Sequence, residues 1–250
     1  MCSLNWRDFG THIGIAFNRD ERITRAKADV PKLFVDHNQQ FLMPKDPEGE
    51  GSWLSANESG FVFMLLNDYQ GRLKSESIEL ISRGRIVREL ASSSTLEQVH
   101  HYLDSLPLER FQPFVLIMIS QLHKQLWRYD GVELTLTTRD APLQWYSSGH
   151  PKSDQVIATR HSLLKQTEIN SDNDLIQLHS THEKTNQPIG DSVEPLDLSF
   201  EICMHHQLAH SQSLTYIKLF SDSIEMQYWD GQPCQTDPID IGKLVVTNTF

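Results

Sequence analysis

The chain opens with two short apolar alternations, Leu4 and Trp6 before Gly10-Thr11, and Ile13, Ile15 and Phe17 after it. A period of two marks strands with one buried face, and a two-residue Gly-X connection suits a type II′ hairpin turn. With Phe9 opposite His12, Trp6 faces Ile15, Leu4 faces Phe17 and Cys2 faces Arg19. Directly opposed residues share a sheet face, so these side chains all project the same way. A slip of one residue would set apolar positions of one strand against the opposite face of the other, so the apolar pattern supports this register. That register ends the apolar stripe with a thiol beside a guanidinium.

Downstream, residues 21–50 carry Pro31, Pro44 and Pro47 and a charged tip at Asp46–Gly51, and read as an irregular connection of the kind that forms a lid or substrate wall. A second hairpin follows, Ser52–Ala56 and Phe61–Leu66, joined by a turn at Asn57–Gly60. The unbroken apolar run of its second arm predicts a strand covered on both faces. Ile78 to Leu90 recur at helical spacing across Gly84, and Thr95-Leu96-Glu97-Gln98 matches a capping box opening a helix to about Leu106. Strands are expected at Phe114–Ser120, Leu126–Tyr129, Val132–Thr137 and Leu143–Ser148, then helices over Gln155–Lys165 and Asp172–Leu178. His182 to Pro195 reads as loop. Ser199–His205, Leu214–Phe220, Ile224–Trp229 and Leu244–Thr249 read as closing strands. No repeat and no linker interrupts the chain, so residues 1–250 are expected to form one domain. The alternation of strand groups and helix groups predicts an α+β fold with two packed antiparallel sheets and helices outside.

A net charge of −11 argues against nucleic acid or an anionic membrane as partner, since both need a basic face. No apolar run reaches the roughly 18 residues of a membrane span, and the N-terminus lacks a signal-peptide core, so the expected location is cytoplasmic. Cys2, Cys203 and Cys234 form neither a CxxC pair nor a disulfide framework. His205, His206 and His210 fall close together, as do His179 and His182, but no ligand spacing in the sequence is complete, and no metal or cofactor is assigned.

Removal of Met1 would make Cys2 the first residue, carrying a thiol and a free α-amine together. With reference pKa values of about 8.5 and about 7.7–8.0, the amine can serve as base for the thiol near neutrality. This is a nucleophile–base pair within one residue.

Met1-Cys2, a strand, and then Ala16-Phe17-Asn18-Arg19-Asp20-Glu21 resemble the NRDE family, which includes the transport-and-Golgi-organisation proteins. Gly51-Ser52-Trp53-Leu54, Asn57, Gly60, Leu65-Leu66-Asn67 and Ser82-Arg83-Gly84 extend the resemblance, which is strongest over residues 1–90. That family is similar to N-terminal-nucleophile hydrolases of the choloylglycine hydrolase and penicillin acylase-like group. The resemblance implies a four-layer αββα sandwich. It also implies roles: Cys2 as nucleophile, Arg19 near the thiolate, Asp20 orienting the α-amine, and the Asn67 backbone N–H donating to an oxyanion. Read without the resemblance, Arg19 and Asp20 make a structural ion pair, Asn67 begins a turn and Trp53 belongs to the core.

Two positions depart from the hydrolase pattern. Where those enzymes carry a second oxyanion asparagine, this chain offers Ser148, with His150 as a neighbouring donor; where they carry an arginine in a late strand, it has Ser211-Gln212-Ser213. Two functions therefore stand. One is a cysteine hydrolase cleaving a small amide, ester or thioester through an acyl-enzyme on Cys2. The other is a non-catalytic binding or trafficking protein for a hydrophobic ligand such as haem or lipid. Neither the small-molecule substrate nor the oligomeric state is legible.

Overall fold

The computed structural model describes residues 2–74, 79–138, 153–182, 202–206 and 208–247, and the backbone of 144–147. Thirteen strands among them form two antiparallel sheets. The first holds β1 (Cys2–Asp8), β2 (Ile13–Arg22), β10 (Gln144–Ser147), β11 (Ala209–Leu219), β12 (Ser223–Trp229) and β13 (Pro238–Val245), in the order β10-β1-β2-β11-β12-β13. The second runs β3 to β9 in chain order: β3 (Asp29–Asp36), β4 (Gln39–Lys45), β5 (Leu54–Asn57), β6 (Val62–Asn67), β7 (Phe114–Ile119), β8 (Lys124–Tyr129) and β9 (Leu134–Thr138). Helices α1 (Gly84–Leu90) and α2 (Leu96–Asp104) cover the second sheet; α3 (Ser153–Gln166) and α4 (Asp172–Ser180) cover the first. The four layers are the expected αββα sandwich.

The central core lies between the sheets. Leu4, Trp6, Ile15 and Phe17 of the first hairpin pack with Ile217 and Met226 against Leu54, Met64, Leu66 and Ile117 of the facing sheet. The hairpin has the register required by its pattern, with Cys2 opposite Arg19, Leu4 opposite Phe17 and Trp6 opposite Ile15. Phe9 N–H bonds the His12 carbonyl at 2.9 Å, and Gly10 alone of the two turn residues takes positive φ, as a type II′ turn demands. In β6, Met64 and Leu66 face the central core while Phe63 and Leu65 face α1 and α2, so the unbroken apolar run is buried on both sides. Thr95 caps α2, accepting from the Gln98 N–H at 3.2 Å.

Several boundaries differ from expectation. Residues 29–45 form the β3–β4 hairpin, turning on His37 and Asn38, both at positive φ. β3 is an edge strand, where a proline removes no ladder bond that the sheet needs, and its register shifts between Asp29 and Lys32, around Pro31. β13, at the edge of the other sheet, begins at Pro238 rather than near Leu244 for the same reason. Helix α1 starts at Gly84, not near Ile78; residues 75–78 lie outside the described residues. β11 starts at Ala209, five residues before the expected Leu214, whereas the described part of the expected strand at Ser199–His205, residues 202–205, is a bend with one isolated bridge, His205 to His210.

The outer face of the first sheet buries polar groups. Asn18 donates its amide to the carbonyls of His179 (2.9 Å) and Ile202 (3.1 Å), and its Oδ1 lies 3.0 Å from His179 Nδ1. Asn5 meets the other ring nitrogen at 2.8 Å. One asparagine of β2 thus fastens α4 and the segment at 202 to the sheet. Burial, with Arg160 nearby, lowers the His179 pKa to about 3 from 6.5. The unfolded chain takes up a proton here below pH 6.5 that the folded chain refuses until about 3. Stability therefore falls with falling pH across that window, by up to about 1.4 kcal/mol per pH unit from this residue. Urea midpoints measured from pH 7 to 4 are expected to drop steeply in the parent chain and less steeply in His179→Gln. Equal slopes would show that the imidazole does not carry the acid sensitivity.

Candidate active site

Cys2 begins β1 and is half-buried at the rim of a cleft of about 740 Å³ between the two sheet ends. Its backbone lies between Arg19 on β2 and Ser147 on β10. Burial pushes the thiol pKa up and the Asp20 charge adds to this; the chain terminus, a backbone hydrogen bond from Asp20 and the Arg19 charge pull it down.

The tetrapeptide Asn18-Arg19-Asp20-Glu21 sits in β2, so its members alternate between two environments. Asn18 and Asp20 point toward the helices. Arg19 and Glu21 point into the cleft, and Glu21, assigned no role from sequence, forms part of its wall. Arg19 is only 4% exposed, and its guanidinium lies 4.5 Å above the Trp53 ring. Its Nη1 donates to Gln212 Oε1, and its Nη2 is 3.7 Å from Glu21 and 4.0 Å from Asp46. Arg19 is thus pinned beside Cys2 rather than paired with Asp20. Trp53 packs in the central core, as expected, and also floors the cleft under Arg19.

Gln212 occupies the position where the hydrolase pattern has a late arginine. It is the extra residue of a β-bulge in β11, where the register with β2 shifts between Ser211 and Ser213. A bulge re-aims the side chain it inserts. Here it turns the amide onto Arg19, while its Nε2 reaches the Arg22 carbonyl at 3.3 Å.

Asp20 is 2% exposed, behind Cys2. Its Oδ1 accepts from Ser211 Oγ at 2.6 Å, and its Oδ2 is 3.7 Å from Arg160 Nη1, which itself donates to Ser3 Oγ at 2.7 Å. Burial pushes the Asp20 carboxyl up, against the opposing pull of Arg160, the chain terminus and the Ser211 hydroxyl. Its partner in the fold is therefore Arg160 of α3, a residue that no local pattern singles out.

Asn67 ends β6 on the far wall of the cleft. Leu65 N–H bonds the Trp53 carbonyl at 2.8 Å, and Asp68 N–H bonds Pro113 O on the opposite side at 3.1 Å. By strand alternation the Asn67 N–H points to the Trp53 side, past the end of β5. Its side-chain amide donates to Tyr69 Oη at 3.0 Å. Ser148 and His150 lie outside the described residues.

Arg83 is a second charged cleft residue to which the sequence pattern assigns no role. It stands just before α1 and donates to Pro113 O at 2.9 Å; burial lowers its pKa, against the opposing charges of Tyr69, Cys2 and Glu21. Among the described residues no carboxylate lies within 4.0 Å of it, whereas Arg25 pairs with Asp46 at 2.5 Å and Lys27 with Asp230 at 2.8 Å. The signal was present in Ser82-Arg83-Gly84, but Gly84 read as a weak point inside a helix. Its use is different: Ser52 N–H bonds Gly84 O at 2.9 Å, and a Cβ on Gly51 would lie 2.3 Å from the Gly84 carbonyl carbon. Two glycines let the backbones touch, and the contact delivers Arg83 to the cleft.

The family model described as Transport and Golgi organisation 2 matches residues 10–214. Cys2 and Cys234 lie outside that match. No curated protein sequence matches the chain significantly. Among solved structures, an N-acylethanolamine-hydrolyzing acid amidase ortholog of Caenorhabditis elegans aligns with a TM-score of 0.60 at 11% identity, covering 87% of this chain and 92% of its own. Penicillin V acylase from Agrobacterium tumefaciens gives 0.55 at 11% identity, covering 96% and 86%. A conjugated bile acid hydrolase variant from Clostridium perfringens gives 0.52 at 11% identity, covering 100% and 98%. At this identity the likeness is one of fold.

Gly51→Ala must push the Gly84 backbone away. It is expected to destabilise the chain by about 1–3 kcal/mol in urea unfolding. A neutral effect would show that the close approach of the two backbones does not hold Arg83 in place.

Proposed function

The chain belongs to the Transport and Golgi organisation 2 family, and from that premise and the geometry of the cleft we propose that it hydrolyses a small amide, ester or thioester through an acyl-enzyme on Cys2. The observation that carries this reading is the register pairing of Cys2 with a pinned, almost fully buried Arg19 at the rim of the cleft. Fold likeness to amide-cleaving relatives supports the reaction class and leaves the substrate open.

In this mechanism Met1 is first removed, which frees the Cys2 α-amine. The amine takes the thiol proton and the sulfur attacks the substrate carbonyl carbon. Negative charge then develops on the carbonyl oxygen, toward which the Asn67 N–H donates. As the substrate's carbon–nitrogen, carbon–oxygen or carbon–sulfur bond breaks, the leaving amine, alcohol or thiol takes the proton back from the α-amine, and a thioester remains on Cys2. Water, deprotonated by the same amine, attacks that thioester and releases a carboxylic acid and the free thiol. Asp20 holds the ammonium form beside it, and Arg19 favours the thiolate. Ser148 is the proposed second oxyanion donor, one residue past the register partner of Cys2 on β10.

The charge of the cleft bears on the choice between the two functions. It is walled by the arginines Arg19, Arg22, Arg25 and Arg83. The carboxylates Glu21, Asp46 and Glu48 accompany them. Such a lining supports a polar acyl substrate over a hydrophobic ligand, whose site would be mainly apolar. Arg83, with no carboxylate partner among the described residues, is the cation proposed to receive an anionic group of that substrate.

The intact mass of the purified chain is expected to lack Met1, and Cys2 to alkylate faster at pH 7 than Cys203 or Cys234. Against a panel of acyl amides and thioesters, Cys2→Ala is expected to lower kcat/KM by about 10³-fold or more. Arg83→Met should raise KM chiefly for anionic members of the panel. Retention of Met1, or a Cys2→Ala variant as active as the parent, would end the proposal.

A further inference from the structure

Away from the cleft rim, the fold gathers four metal-binding side chains that are scattered through the sequence. Cys203 and His205 lie on the bend at 202–206, His182 follows α4, and Cys234 lies between β12 and β13. Cys203 Sγ is 3.5 Å from Cys234 Sγ and 3.5 Å from His205 Nε2, and His205 Nε2 is 3.1 Å from Cys234 Sγ. One ligand atom from each of His182, His205 and Cys234 lies within 4.8 Å of the others. The His182 and His205 rings are 4.9 Å apart between centroids.

We propose that His182, Cys203, His205 and Cys234 bind one zinc ion in a closed tetrahedral Cys₂His₂ site. Zinc–sulfur bonds of about 2.3 Å and zinc–nitrogen bonds of about 2.0–2.1 Å put the edges of such a tetrahedron at about 3.3–3.8 Å. The three contacts among Cys203, His205 and Cys234 already fall at or just below that range. The exposed His182 side chain, with a ring nitrogen within 4.8 Å of the ligand atoms of His205 and Cys234, supplies the fourth corner by turning toward Cys203. Two sulfurs and two imidazoles suit zinc over calcium or magnesium, which take oxygen ligands. Binding releases the two thiol protons, and the two thiolates neutralise the charge of the ion.

The site has a structural consequence. Cys203 N–H already bonds the Thr181 carbonyl at 3.1 Å, so the end of α4 and the bend are in contact. The metal adds the β12–β13 connection and ties the three segments together. Between Cys203 and His205, Met204 exchanges both its backbone groups with Ser211: its N–H bonds Ser211 Oγ at 2.9 Å, and its carbonyl accepts the Ser211 N–H at 3.0 Å. Ser211 Oγ in turn donates to Asp20. The zinc clasp thus holds in place the hydroxyl that supports Asp20, from the side opposite the cleft.

Full-length chain purified under reducing conditions and dialysed against a metal-scavenging resin should retain about one zinc per chain. X-ray absorption of that wild-type sample should give two sulfur neighbours at about 2.3 Å and two nitrogens at about 2.0 Å. Cys203→Ser and Cys234→Ser should each weaken binding in zinc sulfate titrations by more than about 100-fold, while Cys2→Ser should bind as the parent does. If the cysteine variants do not fold, the wild-type absorption spectrum decides. A reduced chain that takes up no zinc, zinc bound through oxygen ligands alone, or unchanged binding by folded Cys203→Ser would overturn the proposal. Loss of zinc from a chain with unaltered Cys2 reactivity would leave the hydrolase reading standing, and an inactive Cys2 in a zinc-loaded chain would leave the clasp standing.

Discussion

The pairing of β1 with β2 is the constraint on which the rest of the structure depends. It sets Cys2 against Arg19 on one face and Ser3 against Asn18 on the other. Because β2 is covered on both sides, each face does separate work. The inner face supplies Ile15 and Phe17 to the central core and then Arg19 and Glu21 to the cleft. The outer face supplies Asn18 to α4 and Asp20 to Arg160 of α3. A strand with period two is what lets four consecutive residues split into two pairs of opposite duty.

The buried polar layer under the first sheet explains how a charged site survives in a sandwich core. Removing polar groups from water is costly unless they find partners. Asn18, Asn5 and His179 satisfy one another, while Asp20 has Ser211 and Arg160. On the cleft side Arg19 is held by Gln212, Glu21 and the Trp53 face. An arginine at position 212 would meet Arg19 as a like charge; the glutamine accepts a hydrogen bond instead. The departure from the hydrolase pattern thus has a local physical logic, and the cleft keeps Arg83 as a cation with no carboxylate within 4.0 Å among the described residues.

The two sheet edges show which elements a sequence discloses. β6 and β7, buried on both faces, are written as apolar runs; β1 and β2 are written as alternation and a glycine turn. β3 and β13 carry prolines and mostly exposed side chains, because an edge strand need bury little and leaves one row of backbone groups unpaired by the sheet. Their sequences resemble connections: residues 29–45 lie inside the proline-bearing stretch 21–50, and the strand pattern at the C-terminus is visible only from Leu244. Gly84 misled for a related reason: a glycine needed for a close backbone approach looks the same in sequence as a glycine that weakens a helix.

By itself the sequence determined the first hairpin, its register, the shared face of Cys2 and Arg19, the two-sided burial of β6, and the layered fold. These follow from period, turn chemistry and apolar content, all of which act between near neighbours in the chain. Only the tertiary structure decided that Asp20 answers to Arg160, that Gln212 takes hold of Arg19, that Arg83 reaches the cleft, and that His182, Cys203, His205 and Cys234 converge. Those meetings join segments tens to more than a hundred residues apart through the packing of helices and sheets. No local spacing records them, because the distance that matters is set by the core and not by the chain.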